Sequence, residues 1–286
     1  MPLTKLFSAR SRYIVVATSL SAIALLPFKA NAAEPFDKGP ASPSADNVDE
    51  RRYGPIRQKL SDWNVMVAGG AMYAPKYEGS DEYEVVPIPM VSATIGRFTI
   101  SPGGLSVDVL EANGFKVSLK GGYDLGGGRK EKDSTHLKGL GNIDAGALVG
   151  GQISYEMGPV EFSASVDKTI GGSDGLQGVL GANVSHNYNN FIFAAGASAT
   201  FADENYMQSY FGVTALQSAR SGLPQYDAGA GLKRFDVEAS VTYMATENWL
   251  VRGQVGVGFL TGDAKDSPIV RKNTQPSGML LVGYRF

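Results

Sequence analysis

The chain has two histidines, His136 and His186, and no cysteine, so its means for nucleophilic or metal chemistry are few. His136 has Asp133 and Ser134 close by in a Gly- and Lys-rich stretch. An imidazole with a carboxylate in reach is the minimum for proton transfer in a hydrolase. The plainer alternative, a solvated loop histidine, is the expectation. His186 is flanked by Ser185 and Asn187, the inventory of an acyl hydrolase. Adjacent strand residues point to opposite faces, so these three cannot form a triad among themselves. Asp263, Asp266 and Ser267, and separately Glu78, Asp81, Glu82 and Glu84, offer the oxygen donors that divalent cations take, but neither group has the spacing of a calcium loop. Gly126-Gly127-Gly128-Arg129-Lys130 lacks the Lys-Ser/Thr ending and following helix of a phosphate loop. The expectation is no catalytic residue, no metal site and no cofactor.

The other charged residues fall into a pattern. Lys116, Lys120 and Asp124 alternate with Phe115, Val117, Leu119, Gly121, Tyr123 and Leu125. Glu161 and Asp167 alternate with Val160, Phe162, Ala164 and Val166. Asp236 and Glu238 alternate with Phe235, Val237, Ala239, Val241 and Tyr243, and Arg252 with Trp249, Val251, Gly253, Val255, Val257 and Phe259. This is the period of a strand with one apolar and one polar face. Weaker members run over 63–73, 145–155, 176–188 and 191–201. Apolar faces tend to carry aromatics at their ends, such as Trp63 and Tyr73, Phe191 and Phe201, Trp249 and Phe259. A soluble sandwich also alternates, but girdles at both strand ends are the mark of strands that cross a bilayer.

The two ends of the sequence point the same way. Lys5, Arg10 and Arg12 precede an apolar stretch from Tyr13 to Phe28, and Ala30-Asn31-Ala32 follows as a cleavage site. A helical span needs about 20 apolar residues, and this run is shorter and interrupted by Ser19, Ser21 and Pro27. Loss of Lys5, Arg10, Arg12 and Lys29 leaves 22 of 26 basic residues against 28 acidic, taking the charge from −2 to −6. That balance argues against nucleic acid as a partner. The last strand places Leu280, Val282, Tyr284 and Phe286 on one face and Met279, Leu281, Gly283 and Arg285 on the other. An aromatic end with a second aromatic two residues earlier resembles the terminal strand of bacterial outer-membrane barrels. Tyr284 and Phe286 are thus the expected signal for the barrel assembly machinery.

These readings predict an all-β fold, a transmembrane antiparallel up-and-down β-barrel of about twelve strands, with ten or fourteen as alternatives. The expected organisation is a signal peptide over 1–32, a disordered periplasmic tail over 33–61 and the barrel over 62–286. Short connections (Gly96-Arg97, 112–114, Gly158-Pro159, 187–190, 245–248) should face the periplasm. Long ones (126–142, 203–231, 260–277) should face outside, with 75–82 and 171–175 intermediate. Both termini are then periplasmic. Phe98–Glu111 reads as one bent strand or two short ones, and Tyr206–Thr214 as a wall strand or part of a loop. The lumen-facing polar residues are Lys116, Lys120, Asp124, Glu161, Asp167, Asp236, Glu238, Arg252 and Arg285. Their mixed signs suggest pairing across a narrow lumen rather than an ion-selective pore. Outer-membrane lipid and lipopolysaccharide are expected partners. The acidic loops would bridge to lipopolysaccharide weakly through divalent ions, and Arg129, Lys130 and Lys132 would meet lipid phosphates or water.

Several separated segments carry a resemblance. They are Tyr77-Glu78-Gly79-Ser80-Asp81 leading to Pro87-Ile88-Pro89, the segment Leu137–Ile143, and Tyr210-Phe211-Gly212-Val213 followed by Ser221-Gly222-Leu223 and Tyr226. The Gly262–Val270 run and the Gly283-Tyr284-Arg285-Phe286 end complete the set. In this order they resemble the MipA/OmpV family of outer-membrane proteins, over 63–286. The resemblance implies an outer-membrane barrel that anchors or scaffolds peptidoglycan-remodelling machinery, with a lytic transglycosylase and murein synthases as partners. It carries no agreed catalytic site. The alternatives are a small channel for small solutes and, behind it, an outer-membrane hydrolase.

Overall fold

The structure, a computed structural model, describes residues 63–123 and 128–286. The expected signal peptide and tail, and Asp124, lie outside the described residues. Twelve antiparallel strands form a closed barrel. They are β1 (Trp63–Pro75), β2 (Tyr83–Ile95), β3 (Phe98–Ser101), β4 (Gly104–Ala112), β5 (Phe115–Tyr123) and β6 (Ala147–Met157). Then come β7 (Val160–Ile170), β8 (Leu176–Tyr188), β9 (Phe191–Ala202), β10 (Gly231–Met244), β11 (Trp249–Leu260) and β12 (Thr274–Arg285). Each strand pairs with its sequence neighbours, and β1 closes the ring on β12 from Met66 opposite Arg285 to Tyr73 opposite Gly278. No helix among the described residues is long and apolar enough to cross a membrane.

The faces follow the alternation. Val237, Val241, Val255 and Phe259 are exposed on the outside, while Ser240, Gln254 and Met279 turn inward. Aromatic clusters sit at both ends of the outer wall. Tyr73 stacks on Tyr83 at one end, and the tilted pairs Phe115–Tyr155 and Phe191–Tyr243 and the edge-on pair Trp249–Tyr284 mark the other. One rim carries the tight turns. At Asn113-Gly114 both residues have positive φ, 53° and 82°, as a two-residue hairpin turn matched to strand twist requires. The opposite rim carries the long connections.

Three boundaries differ from the sequence reading or resolve it. Phe98–Glu111 is two strands turning at Pro102-Gly103. Tyr206–Thr214 is no wall strand, since α1 (Glu204–Phe211) occupies it, with the Asp203 side chain accepting the Tyr206 N–H at 2.9 Å. The connection placed over 260–277 is shorter, because β11 runs to Leu260 and β12 begins at Thr274. Pro276 hides that strand start. Phe286 N–H donates to Val65 O, so alternate residues back to Pro276 direct their backbone toward β1. The β1 ladder ends at Gly278, and a missing N–H at 276 costs it nothing.

The register makes a sharp prediction. Val255 is 65% exposed on the lipid face, whereas Gln254 donates to Glu238 inside at 2.9 Å. Val255→Arg should destabilise the barrel by about 2–4 kcal/mol, the cost of a cation near the midplane. Gln254→Arg should cost much less, as read by denaturant-induced loss of the heat-modifiable band.

Candidate functional site: a capped lumen

The long connections do not project into solvent. They pack on one another across one mouth of the barrel. In the β9–β10 connection, α1 is followed by α2 (Ala215–Ser221), started by a reciprocal Thr214/Gln217 capping box. The β11–β12 connection contributes α3 (Gly262–Asp266). Tyr206, Met207, Phe211, Ala228, Leu260 and Ala264 form one buried cluster. Tyr77, Leu137, Leu140, Val213 and Ile269, from four different connections, form a second. Phe211, Leu137 and Ile269 are each 0% exposed. Each such side chain contributes about 1.5–3 kcal/mol by leaving water.

Hydrogen bonds stitch the connections together. Gln217 Nε2 donates to Leu140 O at 2.6 Å, and Arg129 donates to Tyr210 O at 2.6 Å. Ser267 Oγ donates to Phe211 O at 2.6 Å, and the Tyr77 hydroxyl donates to Ile269 O at 3.3 Å. Gln275, fully buried on β12, accepts from the Gly79 N–H at 3.1 Å and donates to Ser80 O at 3.1 Å. Burial, then Asp81, pushes the Tyr77 hydroxyl up to about 12. Burial lowers the Arg129 guanidinium to about 10.

Beneath this cap lies a buried charge cluster. The β9–β10 ladder steps from Leu232 to Arg234, leaving Lys233 as an extra residue. Such a bulge re-aims side chains, and here it turns two consecutive cations inward. Lys233 and Arg234 are 1% and 5% exposed. Lys233 Nζ donates to Glu78 Oε2 at 3.1 Å, to Gln177 Oε1 at 3.2 Å and to the Tyr206 hydroxyl at 3.1 Å, and lies 4.5 Å from that ring's centre. Arg234 lies 3.5 Å from Glu78 Oε1 and 2.7 Å from Asp236 Oδ1. A Cβ at Gly258 would sit 2.1 Å from the Arg234 guanidinium, so the glycine makes room for it. Burial opposes charge on Glu78, but attraction to Lys233 and Arg234 wins and holds its carboxyl below the ordinary value. Glu78 thus ties the β1–β2 connection to the wall at β10.

The residues read as lumen-facing are placed as follows. Lys116 pairs with Asp108 at 2.8 Å, and Lys120 with Asp167 at 2.9 Å across Gly150, whose added Cβ would strike that carboxylate. Arg252 donates to Gln254 at 3.3 Å, which donates in turn to Glu238. Asp236 belongs to the Arg234 cluster, and Glu161 is half-buried near Glu156 and Lys116. Arg285 donates to Glu247 O at 3.2 Å on the tight-turn rim. The expected pairing across the lumen is replaced by pairing along the wall, because neighbouring strands already bring opposite charges within reach. Tyr284 packs edge-on against Trp249 and Phe286 at the seam.

Sequence reasoning missed Lys233, Arg234 and the role of Glu78. The visible signal was two adjacent cations breaking the alternation just before Phe235. It also missed an apolar sector of the lumen, where Met72, Ala74, Met279 and Leu281 pack with Ile88 and Met90. The His136 ring meets Pro268 O at 3.1 Å, and Ser134 Oγ donates to Glu82. His186 faces outward, opposite Phe193. Among the acidic loop residues, Glu82 pairs with Lys76, Asp81 with Arg271, and Asp263 accepts from the Gly229 N–H.

Compared with known proteins, the chain matches the family described as MltA-interacting protein MipA over residues 67–286. It is 23% identical over 222 residues to "Putative outer membrane protein YiaT" of Escherichia coli (strain K12), covering 77% of this chain and 89% of that protein. Among solved structures, the NanC porin aligns over 78% of this chain and 100% of its own, with TM-score 0.40 and 11% identity. An anion-selective porin from Comamonas acidovorans aligns over 78% and 98%, with TM-score 0.32 and 10% identity.

If Glu78 latches the cap, Glu78→Gln should weaken it by about 3 kcal/mol, since it strips one side of a buried ion pair and leaves Lys233 behind. Acid should do the same. A carboxyl held below its ordinary value stabilises above pH 4.5 and loses that contribution as pH falls through the lowered value. Limited proteolysis of the 203–230 connection should therefore accelerate in the variant at neutral pH, and in the parent only on acidification below about 4.5.

Proposed function

The chain belongs to the MipA family of outer-membrane barrels, and from that premise we propose that it is a non-enzymatic anchor for periplasmic peptidoglycan-remodelling enzymes, a lytic transglycosylase first among them. The observation that carries this reading is the cap. Four connections share two buried clusters over one mouth, and the Glu78–Lys233 pair holds them to the wall. A barrel closed in this way is poorly suited to steady transport through its lumen, and well suited to presenting its other rim. That rim carries the five tight turns and, in this reading, faces the periplasm with both termini. Tyr284 and Phe286, packed at the β1–β12 seam, are the residues the assembly machinery would engage. The partner comes from the family's own description as MltA-interacting. Murein lies on the periplasmic side alone, so the contact belongs to the tight-turn rim and the residues preceding Trp63.

Reconstituted full-length protein should show little steady conductance in planar bilayers, and immobilised protein should retain a purified lytic transglycosylase. Removing residues 33–58 should weaken retention and leave the heat-modifiable band intact, because those residues precede the first wall strand. Large, stable single-channel openings together with no enzyme retention would reverse the reading in favour of a small-solute channel.

A further inference from the structure

Among the described residues the wall is incomplete in one place. β2 has thirteen residues, but its neighbour β3 has four, and the two pair only from Ala93 to Ile95. The β3–β4 hairpin turns back at Pro102-Gly103. Above that turn, the β3-facing edge of β2 has no ladder partner among the described residues. Among the described residues, two strand widths, about 10 Å of wall, separate that edge from the line of β5, which is described to Tyr123. The notch lies at bilayer depth. The stacked Tyr73 and Tyr83 mark the upper belt and Phe98 the lower end of the same wall, and between them Val85 and Val91 are 67% and 55% exposed outward.

An open sheet edge facing hydrocarbon is costly, because each unsatisfied N–H or C=O has no water to turn to. The sequence lowers that cost. The two-residue turn Gly96-Arg97 makes Ile95 and Phe98 a hydrogen-bonded pair. Alternate residues Ala93, Val91, Pro89 and Pro87 therefore direct their backbone toward the missing neighbour. Prolines stand where two N–H groups would have been orphaned. They also withhold the donors that an added strand would need, which argues against another chain completing the sheet. On the inner side of the same edge, Ile88 and Met90 lie against Met72, Met279 and Leu281. The lumen is apolar on the β2 side of the notch, whereas β4–β7 on its other side and β10–β11 carry the charges.

We propose that the notch is a lateral portal: the acyl chain of an amphiphile from the surrounding bilayer enters through it and lies on the apolar sector formed by β1, β2 and β12. This goes beyond the anchoring reading and does not depend on it. Outward Val85 and Val91, the proline-bearing edge and inward Ile88 and Met90 are neighbours on β2, so an acyl chain crossing the edge would pass from one apolar face to the other, and polar wall residues would confine it to that sector.

The test uses the full-length protein in phosphatidylcholine vesicles doped with phosphatidylcholine bearing a diazirine near one acyl terminus. After photolysis, labelled positions are mapped by peptide mass spectrometry. Lumen-facing Ile88, Met90 and Met279 should carry label several-fold above lumen-facing Ser163, Ser165 and Ser240. Met90→Lys should cut the lumen label several-fold while label at outward Val237 and Val255 and the heat-modifiable shift stay unchanged. Should that variant fail to assemble, the parent's map still decides. Label confined to outward-facing residues would overturn the portal, as would label at Val85 and Val91 several-fold below that at Val237 and Val255, which would assign the edge to a second copy that shields it from lipid.

Discussion

Everything in this molecule answers to one requirement: in a bilayer the backbone must find its hydrogen-bond partners within the protein. A closed antiparallel sheet meets it by giving each strand two neighbours, and the β1–β12 pairing closes the ring, leaving the β3-facing edge of β2 above Ala93 as the exception among the described residues. Side chains are then free to divide by face. The outer face dissolves in lipid, with aromatics at its ends, and the inner face gathers the charges. Proline placement shows how strict the requirement is. Pro276, Pro87 and Pro89 all stand where no ladder donor is needed.

Nearly all of the wall was legible in the sequence, because a period of two is imposed by geometry and survives most changes of residue. Trp249–Phe259 and Phe235–Tyr243 announced their faces without ambiguity. The cap was not legible. Its residues meet through contacts between connections far apart in sequence, such as Leu137 with Ile269 and Glu78 with Lys233. No local pattern encodes such meetings. The short helices were equally hidden, since Tyr206–Thr214 carries enough aromatic and β-branched residues to pass for a strand. The Lys233 bulge defeated pattern reading for the opposite reason: it breaks the period at the one place where both side chains are needed inside.

Most of the segments that carry the family resemblance map onto the cap, while Pro87-Ile88-Pro89 lies in the wall strand β2 and the Gly283–Phe286 end finishes the wall strand β12. Tyr77-Glu78-Gly79-Ser80, Leu137–Ile143, Tyr210–Val213 and Gly262–Val270 all contribute to its packing or its hydrogen bonds. A wall needs only alternation, which many sequences satisfy. A cap needs particular side chains to meet. Gly79, with φ +96° and Val270 2.6 Å from where its Cβ would lie, is such a position.

The pairing of β1 with β12 also governs how the barrel can form. Met66 and Arg285 sit near opposite ends of the described chain yet lie opposite each other in the ladder. Hairpins such as β6–β7 and β8–β9 can form locally and early, but this seam unites the most distant contacts, and such contacts form slowly. Until it zips, the sheet is a curved ribbon with two long, sticky margins. Those margins would recruit the nearest strand available, whether from the same chain or from a neighbour. Ring closure is therefore the committed step of biogenesis, and the nascent ribbon has to be chaperoned up to it.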